Sequence, residues 1–168
     1  MTVRVIGIDP GSRITGFGLL EADHGCLRYL DSGCIKTGGG SLPERLAVIY
    51  RGVHELIDEH APDVLAIEDV FVARNPASAL KLGQAKGVAI AAGVAHGIAV
   101  HEYAARRVKQ AVVGSGRATK EQIQHMVRVI LKLPGIPAPD AADALAIAIC
   151  HVNTSGWQRE EISPQYSP

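Results

Sequence analysis

Twice in this sequence a short apolar run stops at an acid. Val3 to Ile8 is a largely β-branched run that ends at Asp9, and Val64-Leu65-Ala66-Ile67 ends at Glu68-Asp69. Each reads as a buried strand. Between them lies a helix signature. Ser41 and Glu44 form a capping box, and Leu42, Leu46, Ile49, Val53 and Leu56 recur at helical spacing up to Ala61-Pro62. Strand, helix and strand in that order give a parallel pair joined by a right-handed crossover. The rest of the chain has to fit around that pair and its two terminal acids.

Pro10-Gly11 turns the chain after Asp9, and a second apolar stretch, Ile14 to Leu20, carries Gly16 and Gly18 inside it. After the turn at Asp23-His24-Gly25, Leu27 to Ile35 reads as a third strand, which completes an antiparallel meander. Asn75-Pro76 opens a helix to about Ala95, and Ile98 to Tyr103 is a fifth strand. Ala105 to Val113 is a helix closed by Gly114, and the capping box from Thr119 to Gln122 opens another. The last helix, Asp140 to about Val152, is nearly all apolar, and the residues from Asn153 on are polar and expected to fray. The expected architecture is one α/β domain over residues 1–155 on a mixed sheet, with a flexible tail over 156–168. Gly83, Gly87 and Ala91 form a stripe of small residues that suits either tight packing on the sheet or a dimer interface. Gly38-Gly39-Gly40 and Gly114-Ser115-Gly116 match neither a phosphate loop nor a nucleophile elbow.

Composition narrows the class. The length of 168 residues fits one domain with a sizeable core. No apolar run reaches the ~18 residues of a membrane span, and the start leads straight into a strand without the layout of a secretory leader. Cys26, Cys34 and Cys150 lack metal-ligand spacing and are read as small core residues of a cytoplasmic protein. The seven histidines, among them His54, His96 and His151, show no HxxxH pair and are read as surface or satisfied core residues. Charge is balanced overall but segregated. Residues 1–69 carry 6 basic and 11 acidic side chains, 70–139 carry 10 and 2, and 140–168 carry 1 and 4. A basic middle third points to a polyanion partner, the alternative being a set of solvated helix faces. Its candidate contacts include Arg74, Lys81, Lys86, Arg106, Lys109, Arg117 and Lys120.

Four acids stand against apolar sequence: Asp9, Glu68, Asp140 and Asp143. Three of them have a plain structural alternative. Asp9 suits a turn cap over Pro10-Gly11, Asp140 suits a helix N-cap, and Asp143 suits the third helical position. Convergence favours chemistry. Open α/β sheets bind ligands at the carboxyl ends of their strands, where Asp9 and Glu68 stand, and a buried last helix packed there brings Asp140 and Asp143 to the same place. Asp140 and Asp143 themselves lie ~5–6 Å apart on one helix face. Four carboxylates at one site need cations, and all-oxygen ligands select Mg²⁺ or Mn²⁺. Two such ions ~3.5–4 Å apart suit phosphodiester hydrolysis.

At these residues the chain resembles the RuvC family of bacterial Holliday junction resolvases. The resemblance runs from Val5 to His151, through GIDPGSRITGFG, the stretch from Glu68 to Phe71, SALKLGQAKGVAI, YAARRVKQAVVG and LPGIPAPDAADALAIAI. It implies an RNase H-like fold: a five-stranded mixed sheet with helices on both faces. It implies a Mg²⁺-dependent endonuclease, with two ions per site, that works as a homodimer on four-way DNA junctions. Such enzymes cut two strands of like polarity symmetrically, leave 5′-phosphate nicks and work with a branch-migration motor in recombination and repair. The resemblance makes Asp9, Glu68, Asp140 and Asp143 the metal ligands. It puts Lys109 and Lys120 near the scissile strand and Phe71 on a loop at the junction centre. Asp69 departs from the pattern, which has an uncharged residue there. The competing readings are a nucleotide-binding domain of the actin or sugar-kinase type and a non-catalytic junction-binding module. The first needs two clasping domains, and the second a broken acid set.

Overall fold

A computed structural model describes residues 2–70 and 75–156. Three strands open the chain as the expected meander: β1 (Thr2–Asp9), β2 (Ile14–Asp23) and β3 (Cys26–Lys36). They pair antiparallel in sequence order, Asp9 opposite Gly16 and Ile14 opposite Lys36. Helix α1 (Leu42–His60) then carries the chain over to β4 (Val64–Glu68), which lies parallel to β1 with Ile8 opposite Ile67. Helix α2 (Pro76–Ala95) leads to β5 (Ala99–Tyr103), parallel to β4 with Glu68 opposite Tyr103. The strand order is β3-β2-β1-β4-β5, so the two crossover strands add to one edge of the meander. Three helices follow: α3 (Ala105–Val113), α4 (Lys120–Ile130) and α5 (Pro139–Thr154).

Local chemistry accounts for most boundaries. Ser41 and Glu44 close the capping box of α1, and Thr119 and Gln122 that of α4. The Asn75 side chain accepts from the Ala77 and Ser78 amides, with Pro76 in the first turn of α2. Gly114 ends α3 at φ +81°, a conformation glycine adopts without a Cβ clash.

The sheet separates two cores. Alternation along β1 sends Ile6 and Ile8 to one face, where they meet Ile49, Val53 and Ile57 of α1 and Ala85, Ala89 and Ala92 of α2. Val3 and Val5 face the other way, toward α3, α4 and α5. Helix α5 is buried nearly throughout from Ala141 to Val152 and lies across β1 and β2. No helix among the described residues is long and apolar enough to cross a membrane.

Two expectations change and one open choice narrows. The cysteines are not all core: Cys150 is buried, whereas Cys26 is exposed where the edge strand β3 begins, and all three are free. The small residues of α2 divide. Ala85, Ala89, Ala92 and Gly93 pack inward, while Gly83, Gly87 and Ala91 face outward. A Cβ added at Gly83 or Gly87 would meet nothing, so packing on the sheet does not explain them. Finally, α5 starts at Pro139 and is capped at Ala138, so Asp140 is not its N-cap. The expected tail falls almost wholly outside the described residues.

Candidate active site

Asp9 and Glu68 end neighbouring parallel strands, so the sheet delivers both carboxylates to the same edge. Glycines bring α5 to meet them. A Cβ on Gly7 would lie 2.1 Å from the Ala144 carbonyl oxygen, on Gly16 2.2 Å from that of Asp140, and on Gly18 2.7 Å from Leu145. Helix α5 thus rests on bare backbone, and its first two turns fall beside Asp9. Sequence reasoning noted Gly16 and Gly18 without giving them a task. The available signal was glycine recurring inside a strand pattern, which marks close approach of another backbone.

The resulting cleft holds about 270 Å³ and is lined by Asp9, Glu68, Asp143, Lys109 and Lys120 over an apolar floor of Val108, Ile123 and Ala146. Lys109 comes from α3 and Lys120 from the first position of α4. Asp140 stands in the first turn of α5 beside Gly16 and adds its charge to Asp9 and Asp143.

Capping does not account for Asp9, Asp140 or Asp143. The Gly11 amide of the β1–β2 turn donates to Thr15 Oγ1 at 3.3 Å, and that hydroxyl donates to the Gly11 carbonyl at 2.9 Å, so the turn is closed by Thr15. Pro139 occupies the first helical position of α5, which puts Asp140 at the second and Asp143 at the fifth, so neither is the N-cap or the third helical residue, and no side chain caps that end.

Electrostatics follow from the crowding. Burial, then the charges of Glu68, Asp143 and Asp140, push the Asp9 carboxyl up to about 7, against the counter-effect of Lys120. Burial and Asp143 raise Glu68, opposed by Lys109 and Lys120. Burial raises Asp143 as well, opposed first by Lys120, whose Nζ stands 3.8 Å from its carboxylate. Two lysines do not offset the assembled carboxylates, and a site in this condition calls for further positive charge. The lone pairs that face the space are all on oxygen, the donor set of a hard divalent cation.

The remaining candidates distribute unevenly. Lys81, Arg106 and Arg117 are exposed on α2, on α3 and ahead of α4. Lys86 is not free for a partner: its ammonium bonds Asp69 at 2.7 Å and also Glu102, and its side chain is 11% exposed. That pairing disposes of the charge next to Glu68. Lys86 holds the Asp69 carboxyl below its ordinary range, and the charges acting on Glu68 are those of Asp143, Lys109 and Lys120. Phe71 and Arg74 lie outside the described residues.

A mixed sheet with acids at the ends of β1 and β4, completed by acids of a helix docked across the sheet, defines the RNase H-like class of α/β folds. The family model described as crossover junction endodeoxyribonuclease RuvC matches residues 5–151. The chain belongs to the RuvC family. The protein of that name from Tolumonas auensis is 58% identical over 154 residues, covering 92% of this chain and 88% of the relative. The one from Pectobacterium carotovorum is 59% identical over 157 residues, covering 92% and 90%. Thermus thermophilus RuvC, solved in complex with a Holliday junction substrate, superposes with a TM-score of 0.85 at 37% identity, covering 91% of this chain and 94% of that one. The yeast mitochondrial resolvase Ydc2 shares the fold at a TM-score of 0.69 and 14% identity.

Proposed function

We propose that this chain is a metal-dependent endonuclease that resolves four-way DNA junctions, with Asp9, Glu68, Asp140 and Asp143 as its metal-binding carboxylates. The observation that carries the reading is the cleft: Asp9, Glu68 and Asp143 line it, Asp140 adds its charge from the first turn of α5, and with burial they push the Asp9 carboxyl up to about 7. Membership of the RuvC family supplies the reaction, hydrolysis of phosphodiester bonds at a crossover junction. The oxygen-only donor set fits Mg²⁺, with Mn²⁺ as a substitute, and its four carboxylates suit two ions. When bound, such ions supply a nucleophilic hydroxide at neutral pH and stabilise charge on the departing oxygen.

The protein's own groups do the rest. Lys109 and Lys120 reach the cleft from two helices and stand ready to hold the oxygens of the phosphodiester under attack. Val108, Ile123 and Ala146 add apolar side chains to the cleft beside the acids. Lys81, Arg106 and Arg117, exposed outside the cleft, contact flanking backbone, as does Arg74. Phe71, three residues past Glu68, stacks on bases unpaired at the junction centre. Lys86 is withdrawn from this set because two carboxylates already hold it.

Two cuts in strands of like polarity require two cleavage sites related by a two-fold axis. The outward face of α2 supplies a surface for that pairing: Gly83, Gly87 and Ala91 run between Leu80, 69% exposed, and Val94, 62% exposed. The homodimer and a branch-migration motor complete the proposed assembly. The test is cleavage of a synthetic four-way junction with and without Mg²⁺, using wild type, Asp9→Asn and Glu68→Gln. Metal-dependent paired nicks in wild type and junction binding without cleavage in both variants are expected. Cleavage near the wild-type rate by either variant would overturn the metal-site assignment.

A further inference from the structure

Two histidines and an aspartate meet where α1 packs on α2, on the face of the sheet opposite α5. His54 and Asp58 stand one turn apart on α1, and His96 is the C-cap of α2. His54 Nδ1 lies 3.3 Å from Asp58 Oδ2, and His96 Nε2 lies 3.0 Å from Asp58 Oδ1. The two imidazoles are nearly perpendicular, at 81°, with centroids 4.1 Å apart. One ligand atom from each of the three residues can be chosen so that all lie within 4.8 Å of one another.

Hydrogen-bond polarity suits this cluster to a metal ion. His96 Nδ1 is 2.8 Å from the Ala92 carbonyl oxygen. A carbonyl only accepts, so Nδ1 carries the hydrogen, and a neutral ring turns the Nε2 lone pair toward Asp58. The ionised carboxylate has only lone pairs to offer in return. A proton on Nε2 or a metal ion between them answers this contact. His54 Nδ1 faces the other carboxylate oxygen, where the neutral Nδ1–H tautomer donates. One divalent ion answers both contacts at once through the lone pairs of the two rings. The bond from a ring N–H to a backbone carbonyl is also the support that fixes the tautomer of metal-ligating histidines.

We propose that His54, Asp58 and His96 form a binding site for a transition-metal ion of the Zn²⁺ or Ni²⁺ kind, which clips the C-terminal end of α2 to α1. Imidazole nitrogens with one carboxylate select such ions over Mg²⁺, the reverse of the selectivity in the acidic cleft. Zinc bonds of roughly 2.0–2.1 Å separate tetrahedral ligands by roughly 3.4 Å, so the three ligand atoms, within 4.8 Å of one another, have to draw in slightly around an ion. His54 and Asp58 have side chains 41% and 66% exposed, so ions reach them from solvent and a fourth position stays open to water. The clip serves structure. Helix α2 carries the outward glycine stripe, and anchoring its C-terminal end fixes where that stripe lies.

The experiment titrates the full-length protein with Zn²⁺ against a chromophoric chelator, with Mg²⁺ saturating. It is repeated for His54→Gln, His96→Gln and Asp9→Asn. A Co²⁺ absorption spectrum without thiolate charge-transfer bands identifies nitrogen and oxygen ligation in place of the exposed Cys26. One Zn²⁺ per chain is expected, bound at least about tenfold more weakly by each histidine variant and unchanged by Asp9→Asn. Zn²⁺ should raise the melting temperature of wild type and of neither histidine variant. Mg²⁺-supported junction cleavage by the histidine variants shows that they are folded. Unchanged Zn²⁺ affinity in both histidine variants, loss of the Zn²⁺ in Asp9→Asn instead, or no Zn²⁺ binding would each overturn the proposal. The cluster would then be an ion pair bridged by a proton.

Discussion

Asp9 is the residue whose environment departs furthest from an isolated carboxylate. Its folded-state value of about 7 stands above the ordinary 3.8, so without metal the folded protein binds this proton more tightly than the unfolded chain does. The contribution is complete below the unfolded value and lost as pH rises from about 4 through 7. At most it amounts to about 4 kcal/mol at 1.36 kcal/mol per unit. Asp9→Asn should therefore melt higher than wild type at pH 8 in chelator, and the difference should shrink toward pH 5. A flat difference across that range would count against the crowding. Divalent ions compete with the same proton, so Mg²⁺ should be released as pH falls through neutrality, measured by titration calorimetry. The lysines act differently. Lys109→Ala and Lys120→Ala should slow single-turnover cleavage while leaving junction affinity largely intact, because both face the cleft. A fall in affinity that accounted for the whole loss would make them binding residues. Phe71→Ala should keep its melting temperature and bind junctions, yet cut them poorly. A core phenylalanine would instead cost roughly 3–5 kcal/mol of stability.

At the scale of elements, the seating of α5 decides whether the four acids converge. Gly16→Ala would drive a methyl group into the carbonyl of Asp140 and lift the first turn of the helix. A displacement near 1 Å costs on the order of 10²-fold in rate, and the overpacking costs about 1–3 kcal/mol. Junction cleavage and thermal melting of this variant check both. Much of this layer was legible in the sequence, because it is written in local chemistry. The capping boxes at Ser41 and Thr119, Asn75-Pro76 and Gly114 set helix ends within a few neighbouring residues. The strand-end positions of Asp9 and Glu68 follow from apolar runs that stop. The start of α5 was misplaced by one residue because Asp140 is a good cap in isolation; Pro139, suited to the first helical position, was the better signal. The seating itself was not legible, since it depends on which backbone passes over Gly7, Gly16 and Gly18. Nor was the fate of Lys86, whose partners Asp69 and Glu102 lie 17 and 16 positions away. The meeting of Asp58 with His96, 38 positions apart, was hidden for the same reason.

At the scale of the whole molecule, the proposed assembly on DNA rests on the basic middle third and the outward face of α2. Gly87→Leu adds bulk where a monomer has open space, so the chain should fold normally. Sedimentation should show it shifted to monomer, and it should nick one strand of a junction without the paired second cut. An intact dimer that cuts both strands would move the interface elsewhere. Removing Lys81 or Arg117 should weaken binding evenly across junction sequences. It should also flatten the salt dependence by ~0.9 log units of slope for each phosphate left without its cation. The acidic cleft carries one further implication, set by the order in which the chain is made. Asp9 and Glu68 leave the ribosome early, but they remain two half-buried acids on a sheet until Pro139–Thr154 lies down across β1 and β2. No earlier segment supplies Asp140 and Asp143. On the proposed assignment, a nascent or prematurely terminated chain that lacks α5 should not cut DNA, because this last helix of the described residues completes the acid set.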